Sequence, residues 1–468
     1  MTTKIVKNKE KIVSRILGIE DEQLNPSKYL RATAKKPVSA PVRKIARASA
    51  KAHTKVLLDR RNVSAPAKIS VRARSKLNIS KLPNELKSLI VNKYVNMLPK
   101  GYKLREWIPV EKLLWSPLCE NPNAIEMIEE RLKSDSLLSE EEYNELYHFG
   151  FEYKTVHWPT LSINKNAIEL IKEKIKAEDL LTPQEYERLR NNNRLDWTAI
   201  AINEDYDAMK LLDMKRSKIE WYMLSQQKNA MKLFIIPKYN EEKSIDKNIL
   251  FNMRGTEKLD WGQLSRNEDA IKIIKEHLRF EDTIPLEIYN YLDSSNKINW
   301  GELAENPNAM QIIINFIEKY IQYENIHDED DPNYRYAQHF DQIWRNLSKN
   351  PNASKYLYEK YPEKIKWRAF SGNPKAIKYL NMPINYDNID WCNLSKNPAA
   401  INLLIANREK IDWCSFSCNT NPKAMELIKE KFEDELLDTE NNTFHLLRPH
   451  EKLDWHNLSK NPAIFEEI

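Results

Sequence analysis

The side chains that do chemistry elsewhere are present in this chain, but its order does not assemble them. Nine histidines (His53, His148, His157, His277, His327, His339, His445, His450 and His456) are scattered over 468 residues. None sits in an HExxH pair, which would hold a zinc ion with a general base between its ligands. The four cysteines, Cys119, Cys392, Cys414 and Cys418, show no CxxC spacing. Cys414 and Cys418 fall on one helix face, but no histidine stands beside them at ligand spacing, so no zinc site is expected. Reduced thiols in an intracellular setting are expected instead. The run Asp328-Glu329-Asp330-Asp331 offers carboxylates to calcium, yet lacks the alternate spacing and the glycine of an EF-hand, and reads as an exposed loop. No GxSxG elbow or Walker loop occurs, and 7 glycines give a phosphate-cradling loop little material. One serine recurs, as Ser395 and Ser459 illustrate, but just ahead of the capped turn, where a hydroxyl bonds backbone. The expectation is a non-enzymatic protein: no catalytic residue, no cofactor, no metal and no small-molecule substrate.

The elements that carry these side chains are set by a repeat. Eleven of the 12 tryptophans fall in one pattern: Trp115, Trp158, Trp197, Trp221, Trp261, Trp300, Trp344, Trp367, Trp391, Trp413 and Trp455. Most copies read [K/R/E]-[I/L]-x-W-x-x-[L/F]-S-x-N-P-x-A-[I/M]-x-x-[I/L], as in KINWGELAENPNAMQII and KLDWHNLSKNPAIFEEI. Self-similarity of this kind marks a stacked-repeat architecture. Asparagine is a strong N-cap, and proline suits the position after it. Asn-Pro caps are expected at Asn121, Asn306, Asn350, Asn373, Asn397, Asn421 and Asn461, bare caps at Asn164, Asn203 and Asn267, and a weaker one at Gln227. After the cap, Ala400, Ile401 and Leu404 share a helix face. Each unit therefore reads as helix, tight turn, helix. It cannot bury its apolar side alone, and the tryptophans are expected to be the wedges between stacked neighbours. Loss of such an aromatic from a core costs about 3–5 kcal/mol.

The tryptophan spacings are 43, 39, 24, 40, 39, 44, 23, 24, 22 and 42. Short units near 23 hold two helices. Long units near 41 have room for a further one, expected within 136–150, 180–193 and 283–295, after N-cap signals at Ser139 and Thr182 or near Pro285. The fold class expected is all-α: an irregular α-solenoid of about eleven helix-turn-helix repeats over 112–468, preceded by an extended basic N-terminal arm.

Ahead of the repeats the composition changes. Residues 1–18 place Ile5, Val6, Ile12, Val13, Ile16 and Leu17 on one stripe, with Lys4, Lys7, Lys11 and Arg15 largely off it, and read as an amphipathic docking helix. Residues 19–80 read as a basic extended arm. Its part 28–80 holds 15 Lys/Arg against one acid, Asp59, a net +14, so residues 81–468 carry −10 of the chain's net +5. Prolines interrupt it and apolar residues come singly, so it cannot form a core of its own. Lys35, Lys36, Arg43, Lys44, Arg47, Lys51, Lys55, Arg60, Arg61, Lys68, Arg72 and Arg74 are its candidate partner-binding residues. They suit other proteins' acidic surfaces, a nucleic acid, or an inner membrane surface; aromatics for base stacking are missing apart from Tyr29. Residues 81–111 read as a capping helical segment. Within it LPNEL (82–86), with Leu89, Ile90 and Tyr94, resembles the opening of an F-box over about 17 residues. No apolar run approaches the roughly 18 residues that cross a bilayer.

The repeat W-x-x-L-S-x-N-P-x-A-I-x-x-L resembles one found in proteins encoded by large double-stranded DNA viruses of algae and amoebae. WSPLCENPNAIEMI, WRNLSKNPNASKYL and WCNLSKNPAAINLL carry it most clearly, and the likeness spans about residues 112–468. The copies here are less regular, with long inserts among short units. Some members of that family resemble F-box proteins and others are virion components. The resemblance thus implies a viral protein located in the virion, and in host cytoplasm during assembly. Two tasks follow from it. One is a minor capsid or subcapsid component that binds other virion proteins through solenoid and arm. The other is an F-box-like adaptor that brings host proteins to a ubiquitin ligase. A nucleic-acid packaging role rests on the arm alone.

Overall fold

The computed structural model describes residues 101–137, 155–328 and 331–468. The docking helix, the basic arm from Lys35 to Arg74, the LPNEL segment and the insert helix near 138–150 lie outside the described residues. The chain divides into two compact units, Met1–Gly101 with Glu467–Ile468, and Tyr102–Glu466. Of the first, Gly101, Glu467 and Ile468 are described, and the Ile468 N–H donates to the Gly101 carbonyl at 3.0 Å.

The second unit is built almost wholly of helices. Among the described residues the strands are two three-residue segments, Tyr102–Leu104 and Phe465–Glu467, which pair with each other. The second unit begins with the strand Tyr102–Leu104.

Ten of the eleven tryptophans open a helix of four to six residues, such as Trp115–Leu118, Trp391–Lys396 and Trp455–Lys460. Trp344 instead lies inside Phe340–Lys349. Often the residue before the tryptophan caps this helix: the carboxylates of Asp260, Asp390, Asp412 and Asp454 each accept an N–H of the first turn. The second helix commonly begins ten residues after the tryptophan, as in Ile125–Asp135, Ile168–Glu178, Ile271–Glu281 and Met310–Tyr320. Ahead of it runs the turn spelled Asn-Pro-x-Ala. In short units the second helix is brief, as in Ile377–Leu380 and Ile401–Ala406.

Two of the three extra helices that the spacing predicts lie among the described residues. Pro183–Arg188 starts on Thr182, whose hydroxyl and Glu185 form a reciprocal capping box. Leu286–Tyr291 follows Pro285. In the last long unit, the length comes from one 17-residue helix, Ala424–Glu440. A π-wound turn, Met231–Ile235, precedes Ile236–Glu242. Pro237 there has no N–H to give, which accounts for the widened turn before it.

The core is a continuous stripe along the repeats. The apolar residue three after each tryptophan is fully buried in all eleven copies, from Leu118 and Leu161 through Phe370 and Phe416 to Leu458. Alanines in the turn, such as Ala124, Ala270 and Ala400, are also fully buried. Their small size lets successive units approach closely.

Candidate functional site

The polar residue six after each tryptophan is asparagine in ten copies and Gln227 in the other. All eleven are buried. Each side-chain oxygen accepts the backbone N–H two residues on, as Asn123 N–H to Asn121 and Lys375 N–H to Asn373 show, both 3.0 Å. The asparagine is thus a cap, as its type suggests, but of the tight turn rather than of the helix that follows. Its amide nitrogen does something the sequence does not spell. It donates backwards to carbonyls of the preceding unit: Asn164 to Cys119 and Asn121, Asn203 to Ser162 and Asn164, Asn373 to Ser348 and Asn350. One side chain therefore fixes a turn and satisfies two buried carbonyls of its neighbour.

One expected cap is displaced. In the Trp413 unit Asn419, not Asn421, holds the buried position and donates to Ser395 and Asn397. Asn421 takes the adjoining role, donating to the Pro398 carbonyl as Asn352 does to Pro307. The asparagine that carries the Asn-Pro spelling is here two residues past the fixed spacing, and the spacing prevails because only the sixth position faces the preceding unit. Gln227 keeps the ladder with a single bond, to Asn203.

The recurring serine forms a second ladder. Ser371 Oγ donates to its own Trp367 carbonyl at 2.8 Å and accepts the Asp390 N–H of the next unit at 3.0 Å. Ser162, Ser225, Ser265, Ser348, Ser395, Ser417 and Ser459 repeat the arrangement. These hydroxyls bond backbone, as their placement before a turn suggests.

Both ladders return to their start. Asn121 donates to the carbonyls of Ser459 and Asn461, each at 3.0 Å, and Asn123 to that of Pro462. The Leu114 N–H donates to Ser459 Oγ at 2.9 Å. Lys460 pairs with Glu120 at 2.9 Å, and the Arg105 N–H and guanidinium bond the carbonyls of Ile464 and Ala463. Unit eleven therefore meets unit one through the same bonds that join interior neighbours. A rod with two free ends is the natural expectation for a solenoid, and these bonds describe a closed cycle instead.

The eleven tryptophans lie in the core or pack against it, at different depths. Trp344, Trp261 and Trp158 are buried, at 1%, 5% and 8% exposure, while the other eight are partly exposed and flank the stripe. Cations cover several of their faces: Arg131 over Trp115, Lys174 over Trp158, Lys238 over Trp221 and Lys112 over Trp455, at 5.0 to 5.5 Å. In the other eight units the indole at the head of the first helix is a half-wet platform, and in all eleven the fully buried anchor lies three residues later.

Long units add a device that the sequence reading missed. A carboxylate on the second helix accepts the backbone N–H two residues before the next tryptophan: Glu178 from Leu195, Glu242 from Leu259, Glu281 from Ile298 and Glu435 from Leu453, at 2.6 to 3.0 Å. Burial pushes the carboxyls of Glu178, Glu242 and Glu435 upward, since it penalises the charged form. The signal was weak in the sequence because partners 17 or 18 residues apart belong to different units.

A cavity of about 320 Å³ lies beside one of these carboxylates, Glu242, and is lined by Tyr239, Lys258, Trp261, His277 and Asn296 among others. Lys258 is 2% exposed, and its ammonium donates to the carbonyls of Leu250 and Phe251 and to Asn296 Oδ1, which occupies all three protons. Burial lowers its pKa. His277 stacks on Trp261 with centroids 3.6 Å apart and reaches Glu281 and the Asn296 carbonyl. These groups stitch the long unit to its neighbour.

The thiols are dispersed. Cys119 is fully buried and its pKa is pushed up to about 12 by that burial. Cys414, burial again leading and Asp454 adding to it, is raised to about 11. Both are thiols, not thiolates, at neutral pH. Among the described residues no group of histidine, cysteine and carboxylate is placed to hold a metal ion. The described ends of the acidic run, Asp328 and Asp331, lie outside any helix.

No family model, no curated protein and no solved structure matches this chain.

Proposed function

We propose that this chain is a non-enzymatic structural protein of a large DNA virus particle, a minor capsid or subcapsid component. In this reading the irregular α-solenoid bends round and closes, and the extended basic arm of residues 19–80 ties it to neighbouring capsid or minor capsid subunits. The closed asparagine ladder carries the reading. A body whose repeated polar groups are bonded to each other from unit to unit, with no exposed end, is suited to act as a stiff platform. Charge supports it as well: an arm segment with a net +14 adjoins a body of opposite sign, the combination expected of a tether that engages acidic protein surfaces.

Quantitative mass spectrometry of purified particles tests this. The chain should appear at a fixed ratio to the capsid subunits, and deletion of residues 19–80 should lower its incorporation. Absence from particles, together with capture of ubiquitin-ligase components from host lysate, would replace this reading with the adaptor. Salt-sensitive DNA binding lost with residues 28–80, in particles where the chain travels with the genome, would replace it with packaging.

A further inference from the structure

We propose that the groove between helices Lys247–Asn252 and Leu286–Tyr291 docks a basic amphipathic helix presented by a partner protein. The inference rests on the reading of the body as a protein-binding platform and adds the chemistry of the partner. The groove encloses about 570 Å³, with Phe251, Ile288, Tyr291 and Leu292 contributing apolar surface and Glu287 and Asp293 the charge; among the described residues no lysine or arginine lines it. Its apolar groups stand in water: Tyr291 is 91% exposed, Ile288 51%, and Ile249 on the facing helix 62%. Large side chains clustered this way on a soluble surface mark a contact site.

The local charges decide which partner fits. Among the described residues Glu287 closes no ion pair. Asp293 lies in the field of Lys258 and Lys297, on both of which its charge acts, which leaves Glu287 as the carboxylate outside any ion pair. Lys247 lies over the Phe280 ring, Lys258 is held by carbonyls and Asn296, and Lys297 and Arg335 lie over Tyr289. An apolar floor with Glu287 outside any ion pair on its rim, and no cation among its described lining residues, favours a helix with apolar residues at i and i+3 or i+4, flanked by lysine or arginine. An acidic helix would meet like charge at the same place.

The experiment uses the full chain and a short fluorescein-labelled Leu/Lys amphipathic peptide, read by anisotropy. Ile288→Ser with Tyr291→Ser, and separately Glu287→Lys with Asp293→Lys, should each weaken binding about tenfold or more. These side chains are exposed, so the fold should persist, and an unchanged thermal melt verifies it. Ile384→Ser, at another exposed apolar site, should leave binding as it is. Parent-like binding by both double variants, or equal binding of a peptide with glutamate in place of lysine, would overturn the proposal. Particle incorporation separates the two levels: variants that lose the peptide but still enter particles remove the groove and leave the structural role standing.

Discussion

Asn121 Nδ2 lies 3.0 Å from the carbonyl oxygen of Asn461, a residue 340 positions away. Interior pairs such as Asn373 and Asn350 make the same bond at the same distance over 23 positions. The equivalence means that the first unit has a preceding neighbour, and that this neighbour is the last unit.

Closure has a direct mutational consequence. In an open row Asn121 would face water, and its loss would be nearly silent. In the closed cycle Asn121→Ala leaves the Ser459 carbonyl and the Asn123 N–H without a partner and removes one of two donors from the Asn461 carbonyl, which keeps the Ile464 N–H. It should cost about 2–3 kcal/mol, the same as Asn373→Ala. Paired denaturant titrations of the two variants check this, and a silent Asn121→Ala with a costly Asn373→Ala would disprove closure.

The tryptophans should not be equal. Trp344 is 1% exposed and its indole N–H donates to Glu324 at 2.7 Å. Trp344→Ala should cost about 3–5 kcal/mol. Trp391 and Trp367, partly exposed, should cost clearly less when changed to alanine. Thermal melts of the three variants give the ranking.

Gly301 sits against the Gln342 side chain of the next unit's helix. A Cβ there would lie 2.2 Å from Gln342 Cγ and 3.1 Å from Gln342 Cβ. Gly301→Ala should force Trp300–Glu305 and Phe340–Lys349 apart and destabilise by about 1–3 kcal/mol. Gly255, with nothing near its Cβ position, is the control and should tolerate alanine.

The buried carboxylates set a pH dependence. The Glu242 pKa is raised above its ordinary value, so the folded state holds its proton to higher pH than the unfolded chain does. Its contribution is fully present below about 4.5 and is lost as pH rises through the folded pKa. Glu242→Gln removes that loss, and the amide oxygen can still accept the Leu259 N–H. Denaturant titrations should show the variant gaining on the parent as pH rises from acid to neutral. A difference independent of pH would show that Glu242 does not titrate in this window.

Cys119, buried and with its pKa near 12, should resist iodoacetamide at neutral pH in the folded chain and react on unfolding, as peptide mass spectrometry would record. Rapid labelling of the native protein would show that the unit around Leu118 opens locally.

Much of the local architecture is legible in the sequence. The tryptophan register, the Asn-Pro turn, the helix-turn-helix unit and the extra helices at Pro183–Arg188 and Leu286–Tyr291 all follow from residues near one another in the chain. The carboxylate caps are equally legible in LDW and IDW, where aspartate directly precedes the helix. Asn421 misled because Asn-Pro is a stronger local signal than a spacing of six residues.

Other features belong to tertiary structure alone. A sequence can state that each unit has an apolar side to bury, but a repeated pattern reads the same in an open row and in a cycle. The choice depends on the small rotation between successive units, accumulated over eleven of them, and no single copy encodes that sum. For the same reason composition marks indoles as large and apolar without telling which are sealed in the core and which lie half-wet beneath a lysine or arginine. Local chemistry determined the units, and packing between distant ones decided that Asn121 would find Asn461.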